Sequence, residues 1–278
     1  MKHDSWSWTW LCALSMMTAA CEVPQGPLGE DEGEDARAAL TADGTVRMIH
    51  VGGICSTDWV SGKKPGNTRL AELDGVESVN AFVDQRTSMT SAVSDLRDEL
   101  DRSCRGDDWC YLHGYSNGGA VISRTLATHE DDRWNVLWVL HTASNEGGSE
   151  LSGGTLASLS ATLGLSCELA KRISPTDHRG AWNHDDTAGA MVYLVGGRRE
   201  WWYTGSAPDF FGGDVNDGAV AAHSSAGLND TYAVSDDDPW MCFDPKYHFT
   251  NHQTAYDCEG VDRDHYAMAM QGIAELGG

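Results

Sequence analysis

A serine flanked by glycines lies between two contrasting patterns of apolar residues. Gly114, Ser116 and Gly118 form a G-x-S-x-G sequence directly after the apolar run 109–112, and apolar residues recur at helical spacing after it. A strand that turns at once into a helix holds its apex residue in a strained conformation, and the glycines leave room for that turn. The pattern predicts that Ser116 presents its hydroxyl as a nucleophile at the end of a sheet, with the backbone N–H of Asn117 directed at a developing oxyanion.

A serine hydroxyl needs a base to remove its proton and a carboxylate to orient that base. Candidates for both roles lie after the serine in the chain. The glycine-rich turn 212–220 contains two candidate acids, Asp214 and Asp217. The later histidines are His223, His248, His252 and His265.

The segment 113–119 (HGYSNGG) resembles the nucleophile elbow of α/β-hydrolases, especially bacterial lipases and esterases. The resemblance implies an α/β-hydrolase fold, with a mostly parallel central sheet, helices on both faces and a candidate small cap. It also implies an exported enzyme that hydrolyses carboxylic esters through a Ser-His-Asp triad and an acyl-enzyme, with no cofactor.

The same resemblance implies that the triad acid follows the serine in the chain and that the histidine follows the acid, and it selects the remaining site residues. Asn216–Val220 (NDGAV) is similar to the segment in which bacterial lipases carry the triad acid, which favours Asp217 over Asp214. His265 directly precedes an apolar terminal helix, where the family places its base, and is favoured over His252. Residues 52–54 (GGI) resemble the oxyanion loop of lipases, so the second donor is the backbone N–H of Gly53 or of Ile54.

Hydrophobic periodicity predicts the elements that position these residues. Apolar strands alternate with amphipathic helices, which is typical of a parallel sheet covered by helices. We expect strands at 46–51, 77–83, 109–112, 134–140 and 190–195, helices at 91–100, from the elbow to about 128 and at 265–276, and a helical cap segment at 156–173.

The amino-terminal region predicts export. Residues 1–20 contain a ten-residue apolar run, 11–20, behind Lys2, which is the length of a signal-peptide core and too short to span a bilayer. Cys21 follows small residues and resembles the lipidated cysteine of bacterial lipoproteins. Residues 22–44 are acidic and poor in large apolar side chains, which favours a solvated linker before a catalytic domain at 45–278.

The cysteines agree with an exported protein. Apart from Cys12 and Cys21, six cysteines remain, which allow fifteen disulfide connectivities. One arrangement pairs Cys104 with Cys110 and Cys242 with Cys258 in short loops, leaving Cys55 to pair with Cys167.

Charge and composition limit the partners. A net charge of −23 argues against nucleic acid and anionic membrane surfaces as partners, and we expect a monomer acting on a small-molecule, lipid or polymer ester. The histidines and carboxylates at 178–186 and 236–238 have no diagnostic ligand spacing, so no metal site is predicted. The alternatives are a polyester depolymerase, another acyl hydrolase or acyltransferase with the same triad, or a non-catalytic exported binding protein of the same fold.

Overall fold

A six-stranded parallel sheet forms the centre of the molecule. The computed structural model describes residues 44–58, 76–129, 133–152, 167–178, 180–184, 186–195, 216–225 and 253–255. The strands are β1 (Val46–Val51), β2 (Val76–Asn80), β3 (Trp109–Tyr115), β4 (Val136–Thr142), β5 (Met191–Val195) and β6 (Gln253–Ala255). They are arranged in the order β2-β1-β3-β4-β5-β6, and every neighbouring pair is parallel.

Two longer helices connect the central strands. Helix α1 (Met89–Ser103) lies between β2 and β3, and α2 (Asn117–Ala127) follows β3 directly. Ser88 caps α1 because its hydroxyl accepts a hydrogen bond from the Ser91 N–H at 3.1 Å. Short helical turns lie at Leu169–Arg172, at Pro175–His178 (α3) and at Ala222–Ser225 (α4). No helix in the described ranges is long and apolar enough to cross a membrane.

The core lies where the central strands meet α1 and α2. Ile49 and Leu112 on the sheet and Leu96, Leu100 and Ile122 on the helices are fully buried. The last four residues of β3 and of β4 are all buried in succession, which is the pattern of parallel strands covered on both faces. This packing makes the carboxyl ends of the central strands a fixed platform for the loops that follow.

Two disulfides agree with the arrangement based on short loops. Cys104 pairs with Cys110, and Cys55 pairs with Cys167 across 112 residues of chain. The second bond joins the loop after β1 to the segment that precedes the turn at 169–172. Cys242 and Cys258 lie outside the described residues.

Several element boundaries differ from the predicted ones. β2 ends at Asn80 rather than 83, because the chain then leaves the sheet and bonds to the loop after β1 through Val83 and Gln85. α1 begins two residues earlier and ends three residues later than expected, since Ser88 supplies its cap. Of the segment expected to form a cap, residues 169–172 form a single 3-10 turn, and residues 153–166 lie outside the described residues. The predicted signal segment, the terminal helix and the linker up to residue 43 also lie outside them.

Candidate active site

Ser116 is the apex of the turn between β3 and α2. Its backbone has φ +54° and ψ −129°, a conformation that is costly for a residue with a Cβ. The turn is held on both sides, because the Ser116 N–H donates to Thr142 O at 3.0 Å and Ser116 O accepts from Gly119 N–H at 3.0 Å. The residue is 5% exposed, and its position at the end of β3 and the start of α2 is the predicted one.

The glycines around Ser116 are required by close backbone contacts. A Cβ on Gly114 would lie 2.7 Å from both Cα and N of Gly119, where no carbon fits. A Cβ on Gly118 would overlap the carbonyl oxygens of Val51 and Gly52. The elbow therefore packs directly against itself and against the loop that follows β1.

That loop brings Gly53 next to the serine. A Cβ on Gly53 would lie 3.0 Å from Ser116 Cβ and 3.4 Å from Ser116 Oγ. Ile54, the other candidate donor, packs against the core with its side chain partly buried. Gly53 O accepts hydrogen bonds from the Ser56 hydroxyl at 2.5 Å and from the Ser56 N–H at 3.3 Å, which fixes the peptide that carries the Ile54 N–H.

A fully buried glutamine, Gln85, joins this loop to the elbow. Its Nε2 donates to Gly52 O, and its Oε1 accepts from Asn117 Nδ2 at 2.8 Å. Its backbone N–H donates to Ser56 O at 2.9 Å, and its carbonyl accepts from Cys55 N–H at 3.3 Å. This residue was not predicted, because Gln85 lies in a polar loop and its partners are about thirty residues away on either side.

Asp217 lies in a tight turn that follows β5 in the chain. The side chain is 1% exposed, and its Oδ1 accepts hydrogen bonds from the N–H groups of Ala219 and Val220, each at 2.9 Å. The turn docks on the loop after β4, where Ser149 Oγ donates to Ala219 O at 2.7 Å. This loop follows the carboxyl end of β4, as Ser116 follows that of β3.

The structure brings some predicted site residues together. Ser116, Asn117 and Gly53 are adjacent, and Asp217 is buried in its turn. His265 lies outside the described residues, as do Asp214 and His252.

A row of buried polar side chains crosses the sheet beside the elbow and was not predicted. His50 Nε2 contacts Ser78 Oγ, the Nδ1 atoms of His50 and His113 face each other, and His113 Nε2 contacts Thr142 Oγ1, each at 3.0 Å. Burial lowers the pKa of His50 to about 3 and holds the pKa of His113 well below its usual value. Both imidazoles are therefore neutral at physiological pH.

A second buried polar group supports the loop after β4. His141 contacts the Glu146 carboxylate, which also lies 3.9 Å from His184 Nδ1. His178 Nδ1 lies 3.0 Å from Asn145 O, and burial lowers the pKa of His178 to about 4. A cavity of about 10 Å³ between His141, Glu146 and His184 has room for roughly one water molecule.

Neither group has the arrangement of a metal centre. Within the part of the chain that the structure describes, no three histidine, cysteine or carboxylate side chains are placed to hold an ion. His178 and His184 are buried among protein groups, while Asp185 and the aspartates at 236–238 are not described. The described part of the site therefore consists of the Ser116 hydroxyl and the backbone of the neighbouring Gly53 and Asn117.

Comparison with known structures identifies the fold. The mature form of a lipase from Bacillus licheniformis superposes with a TM-score of 0.54 at 16% identity, over 82% of this chain and 87% of the lipase. A metagenomic carboxyl esterase superposes with a TM-score of 0.50 at 16% identity, over 66% of this chain and 60% of the esterase. No protein-family model and no curated protein sequence matches the chain.

The parallel sheet, the strand–serine–helix elbow and these superpositions define the class: the chain has the α/β-hydrolase fold. Among solved structures it is similar to bacterial lipases and esterases, as the resemblance of 113–119 had indicated. At 16% identity the similarity concerns the fold alone.

Proposed function

We propose that the protein is an exported serine hydrolase that cleaves carboxylic esters. The observation that carries the proposal is the contact between Ser116 and Gly53. The strained elbow holds the Ser116 hydroxyl at the end of β3. The backbone of Gly53 lies so close to it that a Cβ on this glycine would be 3.4 Å from Ser116 Oγ. A substrate carbonyl carbon attacked by Oγ would have its oxygen next to backbone N–H groups of Asn117 and of Gly53 or Ile54.

The proposed mechanism uses Asp217 and His265 as the partners of Ser116. His265 takes the hydroxyl proton as Oγ bonds to the ester carbon, and the carbonyl electron pair moves to its oxygen. The N–H donors hold that oxyanion, and each is worth on the order of 3 kcal/mol in the transition state. The C–O bond to the alcohol then breaks, and the leaving oxygen takes the proton from His265. Water, deprotonated by His265, releases the acid and regenerates Ser116.

Asp217 is suited to orient His265 through one oxygen. Its Oδ1 already accepts two backbone hydrogen bonds, which fix the carboxylate in one orientation. The proposal assigns Oδ2 to the imidazole N–H. A buried carboxylate held in this way keeps the imidazole in one tautomer and stabilises its protonated form.

Export is supported by covalent chemistry. Cys55–Cys167 and Cys104–Cys110 are disulfides, which persist in oxidising compartments. We propose that residues 1–20 direct export, that Cys21 is a candidate lipid anchor, and that the catalytic domain at 45–278 acts as a monomer.

The nucleophile is tested with a fluorophosphonate probe. The intact protein is expected to be labelled and to hydrolyse p-nitrophenyl butyrate, and Ser116→Ala is expected to lose both properties while its melting temperature stays within a few degrees. A well-folded protein that neither reacts with the probe nor cleaves esters from two to sixteen carbons would instead favour the binding-protein alternative.

The acid is tested by paired variants. Asp217→Asn is expected to lower kcat by about 10⁴-fold, because the neutral amide no longer selects the productive imidazole tautomer. Asp214→Asn is the matched control and is expected to retain activity. The opposite result would identify Asp214 as the acid, and an active His265→Ala variant would reject the proposed base.

A further inference from the structure

We propose that Gln85 is a positioning residue that orients both halves of the oxyanion hole. The inference rests on the proposed function and extends it to a residue that touches neither the nucleophile nor the substrate. Its basis is a single side-chain amide that holds two segments, the loop after β1 and the first residue of α2.

The orientation of the Gln85 amide is determined by its partners. Gly52 O can only accept a hydrogen bond, so the group facing it is the donor Nε2. Oε1 then faces Asn117, whose Nδ2 donates to it at 2.8 Å. Gln85 is 0% exposed, so both bonds are made without competition from bulk water.

The bond to Gly52 O sets the direction of the Gly53 N–H. The two groups belong to one planar trans peptide, since the described residues contain no cis peptide bonds, and they point in opposite directions. While Gln85 holds the Gly52 carbonyl, the Gly53 N–H cannot rotate toward Gln85. The peptide that follows is held separately by Ser56, which bonds to Gly53 O. Gln85 therefore controls one candidate donor, and Ser56 controls the other.

The bond from Asn117 ties the elbow to the same amide, so the two side-chain bonds of Gln85 form a clamp between the loop after β1 and α2. Asn117 carries the first oxyanion N–H in its backbone and is 0% exposed. Because its side chain is held by the amide that holds Gly52, the spacing between the Asn117 N–H and the Gly53 N–H depends on Gln85. A misplacement of about 1 Å in such a site can cost about 10²-fold in rate.

The structure offers a matched control for the loss of an amide. Asn135 is a partly buried amide whose Nδ2 donates to Gly106 O at 2.7 Å and to Asp108 O at 2.9 Å. It lies just before β4, at the amino end of the sheet, about 20 Å along a seven-residue strand from the carboxyl end. Asn135→Leu thus removes two loop hydrogen bonds far from the elbow.

The experiment compares Gln85→Met, Gln85→Glu and Asn135→Leu in the full chain. Methionine keeps the length and makes neither bond, whereas glutamate can still accept from Asn117 but cannot donate to Gly52 O. We expect Gln85→Met to lower kcat for p-nitrophenyl butyrate by about tenfold to hundredfold with KM within threefold. Gln85→Glu is expected to show most of that loss, and Asn135→Leu is expected to keep the wild-type kcat. Should the methionine variant fail to fold, the glutamate variant carries the same comparison.

The rate of amide hydrogen exchange at residues 52–56 reports whether the clamp holds this loop, independently of enzymatic activity. Exchange there is expected to accelerate in both Gln85 variants and not in Asn135→Leu. Unchanged exchange in the Gln85 variants would overturn the clamp whether or not the protein hydrolyses esters. Faster exchange with kcat within twofold of wild type, or a loss confined to KM, would overturn its role in orienting the donors. Failure of wild type to be labelled or to cleave any ester would instead reject the proposed function, and with it a positioning role in that reaction.

Discussion

Acidification is expected to destabilise the folded protein in a pH range that follows from its buried histidines. Burial lowers the pKa of His50 to about 3 and that of His178 to about 4, whereas an unfolded histidine titrates near 6.5. Below pH 6.5 the unfolded chain therefore binds protons that the folded protein does not, and stability falls as pH falls until the folded pKa is reached. Each of these histidines costs about 2 kcal/mol at pH 5, so the pair costs about 4 kcal/mol. His113, whose pKa is also lowered, acts in the same direction.

This loss is a large part of the roughly 5–15 kcal/mol by which a domain is stable. Urea unfolding followed by circular dichroism at pH 7, 6 and 5 measures it directly. His50→Gln removes one titrating group and is expected to reduce the loss between pH 7 and pH 5 by about 2 kcal/mol. A loss below about 1 kcal/mol in the wild type, or an equal loss in His50→Gln, would refute the link between burial and acid sensitivity.

Two further perturbations separate activity from stability. Gly53→Ala places a methyl group 3.4 Å from Ser116 Oγ, and we expect kcat/KM for p-nitrophenyl butyrate to fall about tenfold to hundredfold while unfolding in urea shows a loss of about 1–3 kcal/mol. The Cys55–Cys167 disulfide closes a loop across 112 residues, so its removal by a double serine substitution is expected to lower the free energy of unfolding in urea by about 5 kcal/mol. The same substitution is expected to lower kcat, because it loosens the segment next to Gly53.

Each of these has a control in the same chain. Gly106 has φ +66° and open space around it, so Gly106→Ala is expected to cost about 1 kcal/mol and to leave kcat unchanged. Cys104 and Cys110 are only six residues apart, so replacing both with serine is expected to lower the free energy of unfolding by only about 2 kcal/mol and to leave kcat unchanged. Equal activity losses in a variant and its control would contradict the role given to the oxyanion loop.

Local pattern was sufficient to predict the elements that carry the elbow. β1 coincides with the predicted 46–51, and the glycines at 114 and 118 predicted the turn that Ser116 occupies. These features depend on residues a few positions apart, which a single sequence displays directly. The two disulfides also agree with the arrangement that short loops suggested.

Long-range polar contacts were not predictable in the same way. His113 lies within β3 and is fully buried, yet its partners His50 and Thr142 come from two other strands and meet it only through strand order and register. Gln85 is a similar case, since nothing in the local run Asp84–Arg86 distinguishes a buried clamp from a solvated turn. The length of β2 was overestimated because its apolar pattern continues after the chain has left the sheet.

The row of side chains from Ser78 through His50 and His113 to Thr142 links four adjacent strands on one face of the sheet. A slip of any of these strands by one residue would send its polar group to the opposite face, where an apolar neighbour would leave it without a partner. A slip of β2 or β4 thereby breaks one of the three contacts, and a slip of β1 or β3 breaks two. The row therefore favours the native alignment of the four strands. Because Ser116 directly follows β3, the same alignment determines where its hydroxyl lies at the end of that strand.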